Sequence, residues 1–533
     1  MNSPLFHFNR QRDDIEREVV SRGVDSFASA AGDDALRSFQ LVLNDASIHE
    51  INRLERSRQR DGARLDDWKA LARRIGRMTE PELRDEIARR ATWYVKDIVG
   101  HFDRRVYRFA TSVLPVGLGA LLNTTDVAQG LVQMRNLATR ISVRGEVDRL
   151  RELARRGTLV IVPTHSSNLD SIVLGWSLVH AGLPPCVYGA GKNLFANPMI
   201  GYFMRNLGAY RVDRRLRHVL YKDVLKTYSQ VLIERGYHSL FFPGGTRSRS
   251  GRIEQKLKLG LLGSAMSAFS ERVLRGDDRP IYLVPVTINY PLVLEGETLI
   301  EDYLKEEGQA RYIIEDDEFT RLGRIMQYAV KVMGLDASMV IRYGVPMDVF
   351  GNPVGHDGLS RAPDGTPIDP SSYLLRDGEV VADAERDAEY TRQTGVEVAQ
   401  AFQRESVILP THFLGWLLFE RERRLSPHLD LFALLRTTSG DRHDLTEVCG
   451  DAERVRRLLV QAENAGRLRL ETGLRTAPID EVIDDAMRAF GMYHLRSAVE
   501  RQDTGLLVRD PKMLFYYGNR LDRWTPELRG GLV

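Results

Sequence analysis

The residues with the clearest chemical potential form the run Pro163-Thr164-His165-Ser166-Ser167-Asn168-Leu169-Asp170. A carboxylate five positions after a histidine can fold back to accept one ring N–H. That fixes the tautomer and leaves the other ring nitrogen to take a proton from an alcohol. A base positioned in this way contributes about 10²–10⁴-fold to a rate. The spacing also arises by chance, and a capping histidine beside a helix-start aspartate is the competing interpretation. A second run, Phe241-Phe242-Pro243-Gly244-Gly245-Thr246-Arg247-Ser248-Arg249-Ser250-Gly251-Arg252, joins glycines to three arginines. Glycines let the backbone approach an anion, and guanidinium forks hold phosphate bidentately. Hydroxyls such as Thr246 and Ser248 can complete the shell. A generic basic turn has the same look, and the Gly-Lys-Ser/Thr ending of a P-loop is absent. A third run, Gly208-Ala209-Tyr210-Arg211-Val212-Asp213-Arg214, reads as a short strand ending in charge. Arg214 can meet a phosphate there, while Asp213 can pair with Arg214 or Arg217.

Apolar runs of strand length stand close to these residues. Leu159–Val162 precedes His165, Ser239–Phe242 precedes the arginines, and Ile281–Val286 and Met339–Tyr343 follow. Longer amphipathic stretches such as His218–Arg235 lie between them. That alternation predicts an α/β fold with a largely buried sheet. Ser166, Ser167 and Asn168 are capping residues, so a helix is expected to start there. His165 then lies in a strand-to-helix turn at the sheet's carboxyl edge, where ligands bind. Pro285 has to sit at an edge, a bulge or a strand end.

Upstream, Leu36–Leu43 and Leu65–Ile75 show helical spacing, and Thr79-Glu80-Pro81-Glu82 reads as a helix start. The stretch Gly351–Ala384 is rich in Gly, Pro, Asp and Ser and reads as a loop. Helical texture returns from Asp387, with Leu458–Val460 and Ile483–Phe490 as clear pieces. The expected organisation is a helical N-terminal region (1–140), an α/β domain (141–350), a linker (351–386) and a helical C-terminal domain (387–533).

The 533 residues are 43% hydrophobic and 28% charged, a globular mixture that excludes disordered and collagen-like chains. Two cysteines, Cys186 and Cys449, exclude a disulfide scaffold and a cysteine zinc site, and no His-rich ligand set is evident. Cys186 reads as core. Net charge is +2, but Lys192–Lys258 holds 14 basic and four acidic side chains, a local +10. Such a field draws phosphorylated metabolites, anionic carriers, anionic membrane or nucleic acid, and solvated helix faces give the same count.

Taken in order, His165-x4-Asp170, Gly191-Lys192-Asn193-Leu194, Gly208–Arg214, Phe241–Arg252 and Val284-Pro285-Val286 resemble the glycerolipid acyltransferase family. Within it the likeness is strongest to the bacterial PlsB-type glycerol-3-phosphate acyltransferases. It covers residues 140–350 and continues weakly at Leu409-Pro410-Thr411 and Phe515-Tyr516-Tyr517-Gly518-Asn519-Arg520. The resemblance implies a mixed sheet flanked by helices, with His165 as general base and Asp170 orienting it. It implies acceptor-phosphate contacts from Arg214, Arg247 and Arg249, with Lys192, Thr246, Ser248 and Pro285 as additional site positions. The implied reaction moves an acyl group from acyl-CoA or acyl carrier protein to the sn-1 hydroxyl of glycerol 3-phosphate, without metal or cofactor. A thioester is already activated, so no enzyme nucleophile is needed. Three positions depart from the family: Gly244 stands where a glutamate is usual, and Arg211 and Asp213 stand where an aromatic and an arginine are usual. Val-Asp-Arg is more like the lysophosphatidate acyltransferases, which makes that acceptor the alternative.

No stretch reaches the ~18–20 apolar residues of a membrane span, and Met1–Arg12 lacks a secretory pattern. The expectation is a peripheral or monotopic protein on the cytoplasmic face of the membrane. Phe109–Thr125, uncharged and preceded by Arg104, Arg105 and Arg108, is a candidate monotopic patch or a buried hairpin. Phe413–Phe419 is a second candidate, with helical core favoured. A non-catalytic lipid-binding protein of the same fold is the rival from another class. Nucleic acid is not an expected partner.

Overall fold

The computed structural model describes residues 3–29, 34–57, 61–111, 141–196, 198–307, 339–437, 440–491 and 497–532. Seven strands form the central sheet: β1 (Ile141–Gly145), β2 (Thr158–Pro163), β3 (Val187–Gly191), β4 (Ala209–Val212), β5 (Ser239–Leu240), β6 (Ile281–Asn289) and β7 (Met339–Tyr343). Their order is β1-β7-β6-β2-β5-β3-β4. β1 and β7 are parallel to each other and opposed to the other five, so the sheet is mixed. β2 and β6 are buried at every residue, as interior strands covered on both faces must be. Carboxyl ends of β2, β3, β4 and β5 all emerge on one edge.

Pro285 lies inside β6, an interior strand, opposite Val162 of β2. It is tolerated because the ladder towards β7 breaks there. Its carbonyl accepts from Gly344 N at 2.8 Å, while Leu283 and Met347 exchange both bonds on the other side of the break.

Helices cover both faces: α1 (Phe8–Ser29), α2 (Ala35–Arg56), α3 (Gly62–Arg74), α4 (Glu80–Ile98), α5 (Val147–Arg156), α6 (Asp170–His180), α7 (Pro198–Asn206), α8 (Val219–Glu234), α9 (Leu259–Leu274) and α10 (Gly296–Glu307). α4 starts where the sequence places it, with Glu82 Oε2 accepting from Thr79 N at 2.7 Å. Burial is what joins α1–α4 to the sheet: Phe8, Leu43, Trp68 and Tyr94 share a core with Leu220, Val224 and Tyr228 of α8 and with Val187 and Tyr210. Cys186 is buried in the core, which pushes its thiol up to about 12.

Beyond β7 the Gly- and Pro-rich stretch carries two short antiparallel pairs. α11 (Ala384–Glu405), α12 (Pro410–Leu425), α13 (Leu445–Asn464), α14 (Ile479–Phe490) and α15 (Pro511–Gly518) then pack onto the sheet's core. Phe413, Leu414, Trp416, Leu417, Leu418 and Phe419 are each at most 5% exposed, so this run is helical core. Each such burial stabilises the fold by about 1.5–3 kcal/mol. No helix among the described residues is long and apolar enough to cross a membrane. Of Phe109–Thr125, residues 112 onward lie outside the described residues.

Candidate active site

β2 delivers the chain to the carboxyl edge, and Thr164 extends its ladder by donating N–H to Val286 O at 2.9 Å. Residues 165–169 then turn into α6, whose first residue is Asp170. His165 Nδ1 and Asp170 Oδ2 are 2.8 Å apart. The same oxygen accepts Ser166 N at 2.7 Å and Ser167 N at 3.0 Å, and Oδ1 accepts the Tyr290 hydroxyl at 2.6 Å. Four donors thus converge on a side chain with no exposed surface. With a carboxylate on Nδ1, that nitrogen carries the proton and Nε2 keeps its lone pair. The imidazole is 14% exposed and stacks on Phe242, centroids 4.3 Å apart, which fixes its plane.

Ser166, Ser167 and Asn168 do not cap α6 as the sequence suggests. The N-cap residue is Leu169, without a side-chain cap. Instead Ser167 Oγ and Asn168 N donate to Glu295 at 2.9 and 3.0 Å. Glu295 is 2% exposed, and Arg247 Nη1 lies 3.2 Å from its Oε1. Burial raises the Glu295 pKa, with Arg247 opposing the rise. The carboxylate prevails over capping because its removal from water has to be matched by donors.

The arginine run is tied directly to the histidine. Ser248 N donates to His165 O at 2.8 Å, and Ser248 Oγ donates to Arg252 O at 2.7 Å. Gly245 (φ +72°) makes the turn before it. Arg249 Nη1 reaches Glu306 Oε2 of α10 at 2.6 Å, and Thr246 is exposed at the tip. Gly244 faces Glu254: a Cβ at residue 244 would stand 3.3 Å from Glu254 Cγ and Oε1. A carboxylate therefore does lie against this position, supplied by a residue ten places later. Glu254 Oε1 accepts His165 N at 2.7 Å, and Oε2 is buried without a hydrogen-bond partner. Burial pushes the Glu254 pKa up, with His165 N–H and Arg520 opposing. A cavity of about 500 Å³ is lined by Gly244, Thr246, Arg247, Arg249, Glu254, Tyr303 and Asp522, among others.

The other sequence-derived positions lie on the same edge with different partners. Lys192 Nζ is 2.8 Å from Asp97 of α4 and 3.7 Å from Asp213. Arg214 is exposed in the turn after β4. Buried Asp213 pairs with Arg215 at 2.8 Å, a partner the sequence did not suggest. Among the described residues no group of three His, Cys, Asp or Glu side chains is arranged to hold a metal ion.

Four site residues escaped the sequence: Tyr290, Glu295, Glu254 and Arg520. Arg520 Nη2 donates to Ser166 Oγ at 2.6 Å across 354 residues. It comes from the 3-10 helix Asn519–Trp524, anchored by Asn519 Nδ2 to Ser250 O at 2.7 Å. Gly251 (φ +78°) closes this seam, since a Cβ there would meet Tyr516 O at 2.0 Å. Gly251→Ala is expected to destabilise the protein by more than about 1 kcal/mol through backbone strain alone. Denaturant unfolding of the two proteins checks this, and equal midpoints would refute the seam.

A family described as Acyltransferase matches residues 144–289. The chain is 33% identical over 216 residues to a glycerol-3-phosphate acyltransferase of Aeromonas hydrophila, covering 40% of this chain and 24% of that protein. A protein of the same name from Pseudoalteromonas translucida is 38% identical over 161 residues, 30% of this chain and 19% of the relative. A third, from Pasteurella multocida, is 35% identical over 203 residues, 38% and 23% of the two chains. In each case the match spans less than a quarter of the relative's length.

Proposed function

We propose that the protein, whose residues 144–289 match an acyltransferase family, is a glycerolipid acyltransferase that acylates the sn-1 hydroxyl of glycerol 3-phosphate. The donor is an acyl thioester of coenzyme A or acyl carrier protein. The supporting observation is the His165–Asp170 pair on the edge from which the arginine run hangs by the His165 carbonyl.

In this reading His165 Nε2 removes the hydroxyl proton while the oxygen attacks the thioester carbonyl. Asp170 stabilises the imidazolium that forms. A C–O bond replaces the C–S bond, and the leaving thiolate takes the proton back from His165. The activated thioester supplies the driving force, so the step draws on no cofactor. Arg247 and Arg249, with Arg214 along the edge, hold the acceptor phosphate. The +10 stretch attracts both anionic substrates.

The product is amphiphilic, and a surface patch supports peripheral contact with a membrane, for which we propose the cytoplasmic face. Phe109 and Tyr202 are 53% and 56% exposed and both pack on Phe203, beside exposed Arg104, Arg105 and Arg108. Apolar rings flanked by cations suit an anionic interface.

Val212-Asp213-Arg214 favours lysophosphatidate as a second reading of the acceptor. Purified protein given labelled acyl-CoA and each acceptor separately decides between them. Product with glycerol 3-phosphate is expected, and product with the lysolipid alone would overturn the first reading. Arg247→Ala is expected to weaken acceptor binding by about 1.5–3 kcal/mol, the value of a charge-assisted contact. The acceptor KM should rise far more than the thioester KM, and equal changes in both would refute the phosphate role.

A further inference from the structure

Arg520 is 6% exposed, and the one hydrogen bond of its side chain among the described residues is the 2.6 Å contact to Ser166 Oγ. No carboxylate among them lies within ion-pair distance of it. Arg247 and Arg249, by contrast, each contact one, Glu295 and Glu306. Nearly buried guanidinium is costly unless an anion accompanies it. The described protein groups around this one do not supply the counter-charge at contact distance. Tyr516 is a phenol, His412 a neutral imidazole whose Nδ1 accepts Leu409 N, and Glu254 acts on Arg520 only through its longer-range field. Ser166 adjoins His165, so the unmatched charge stands one residue from the candidate base.

We infer that Arg520 pairs with the phosphate of the acceptor, completing from the C-terminal segment an anion site in which Arg247 and Arg249 already hold carboxylates. The inference rests on the reading above that the acceptor carries a phosphate. It gives the C-terminal region a direct part in substrate recognition, as the source of a specificity-determining side chain outside the matched residues 144–289. Ser166 fits the arrangement. Its oxygen accepts from Arg520, which leaves its hydroxyl proton free to point at the same anion.

The experiment uses the full chain with Arg520→Gln, Arg520→Lys and Arg520→Ala. Arg520→Gln should raise the KM for glycerol 3-phosphate, and the Ki of inorganic phosphate as its competitor, by about 10–100-fold. The KM for acyl-CoA should hold. Arg520→Lys keeps a point charge without the fork and should fall between. Millimolar guanidinium added to Arg520→Ala should lower the acceptor KM again, which a merely structural defect would not allow. Should Arg520→Gln fail to fold, the lysine variant carries the test, because it too must raise both constants. Unchanged phosphate Ki in the folded variants, or no rescue by guanidinium, overturns the inference. Calorimetry with glycerol 3-phosphate alone separates the two levels. Wild type that neither binds nor acylates it sinks the proposed function and this inference together. Wild type that acylates it but binds it no better than Arg520→Gln sinks the Arg520 assignment alone.

Discussion

His165→Ala is expected to lower turnover by about 10²–10⁴-fold, the contribution of a positioned general base. The fold should survive, because Asp170 keeps its bonds from Ser166 N, Ser167 N and the Tyr290 hydroxyl. Binding of both substrates should change little, since in the proposed mechanism the imidazole only transfers a proton. Release of free thiol from acyl-CoA, followed at saturating acceptor, measures the loss. Association with anionic vesicles should be unaltered, which separates lost chemistry from a lost surface. Turnover close to wild type would remove the base assignment.

Asp170→Asn should cost a comparable factor, on the order of 10²–10⁴-fold in kcat, by a different route. An amide oxygen can still accept from Ser166 N, Ser167 N and His165 Nδ1, and its NH2 group can face the Tyr290 oxygen. Geometry is thus retained while the imidazolium loses its counter-charge. The two changes act on one unit, so their effects should not add. In the His165→Ala background, Asp170→Asn should have almost no further effect on kcat. Full additivity in the double variant would show that the aspartate acts on something other than the histidine.

Much of the architecture was legible in the residues. Val160 and Ile161, buried in β2, and the run Ile281–Val286, buried in β6, announce interior strands by continuous apolar character. Thr79 and Glu82 mark a helix start by local hydrogen bonding alone. The pairing of His165 with Asp170 was open to inference for the same reason, because both ends lie in one turn. Residues that reach the site from far along the chain were not. Glu254 arrives 89 positions after His165, and Glu295 meets Ser167 across 128. No local spacing encodes such meetings; they follow from how the sheet and the C-terminal helices close on each other. Pro285 shows the same limit. Its missing donor argued for an edge, a bulge or a strand end; it stands inside the sheet where the ladder towards β7 is interrupted, and which of the three holds depends on a partner strand more than fifty residues away.

The seam at Gly251 and Asn519 has a consequence for how the protein is made. A ribosome must add 354 residues after Ser166 before Arg520 can emerge to meet it. Until then the wall beside the histidine–aspartate pair is unfinished, and it closes only when the C-terminal segment docks on Ser166 and Ser250.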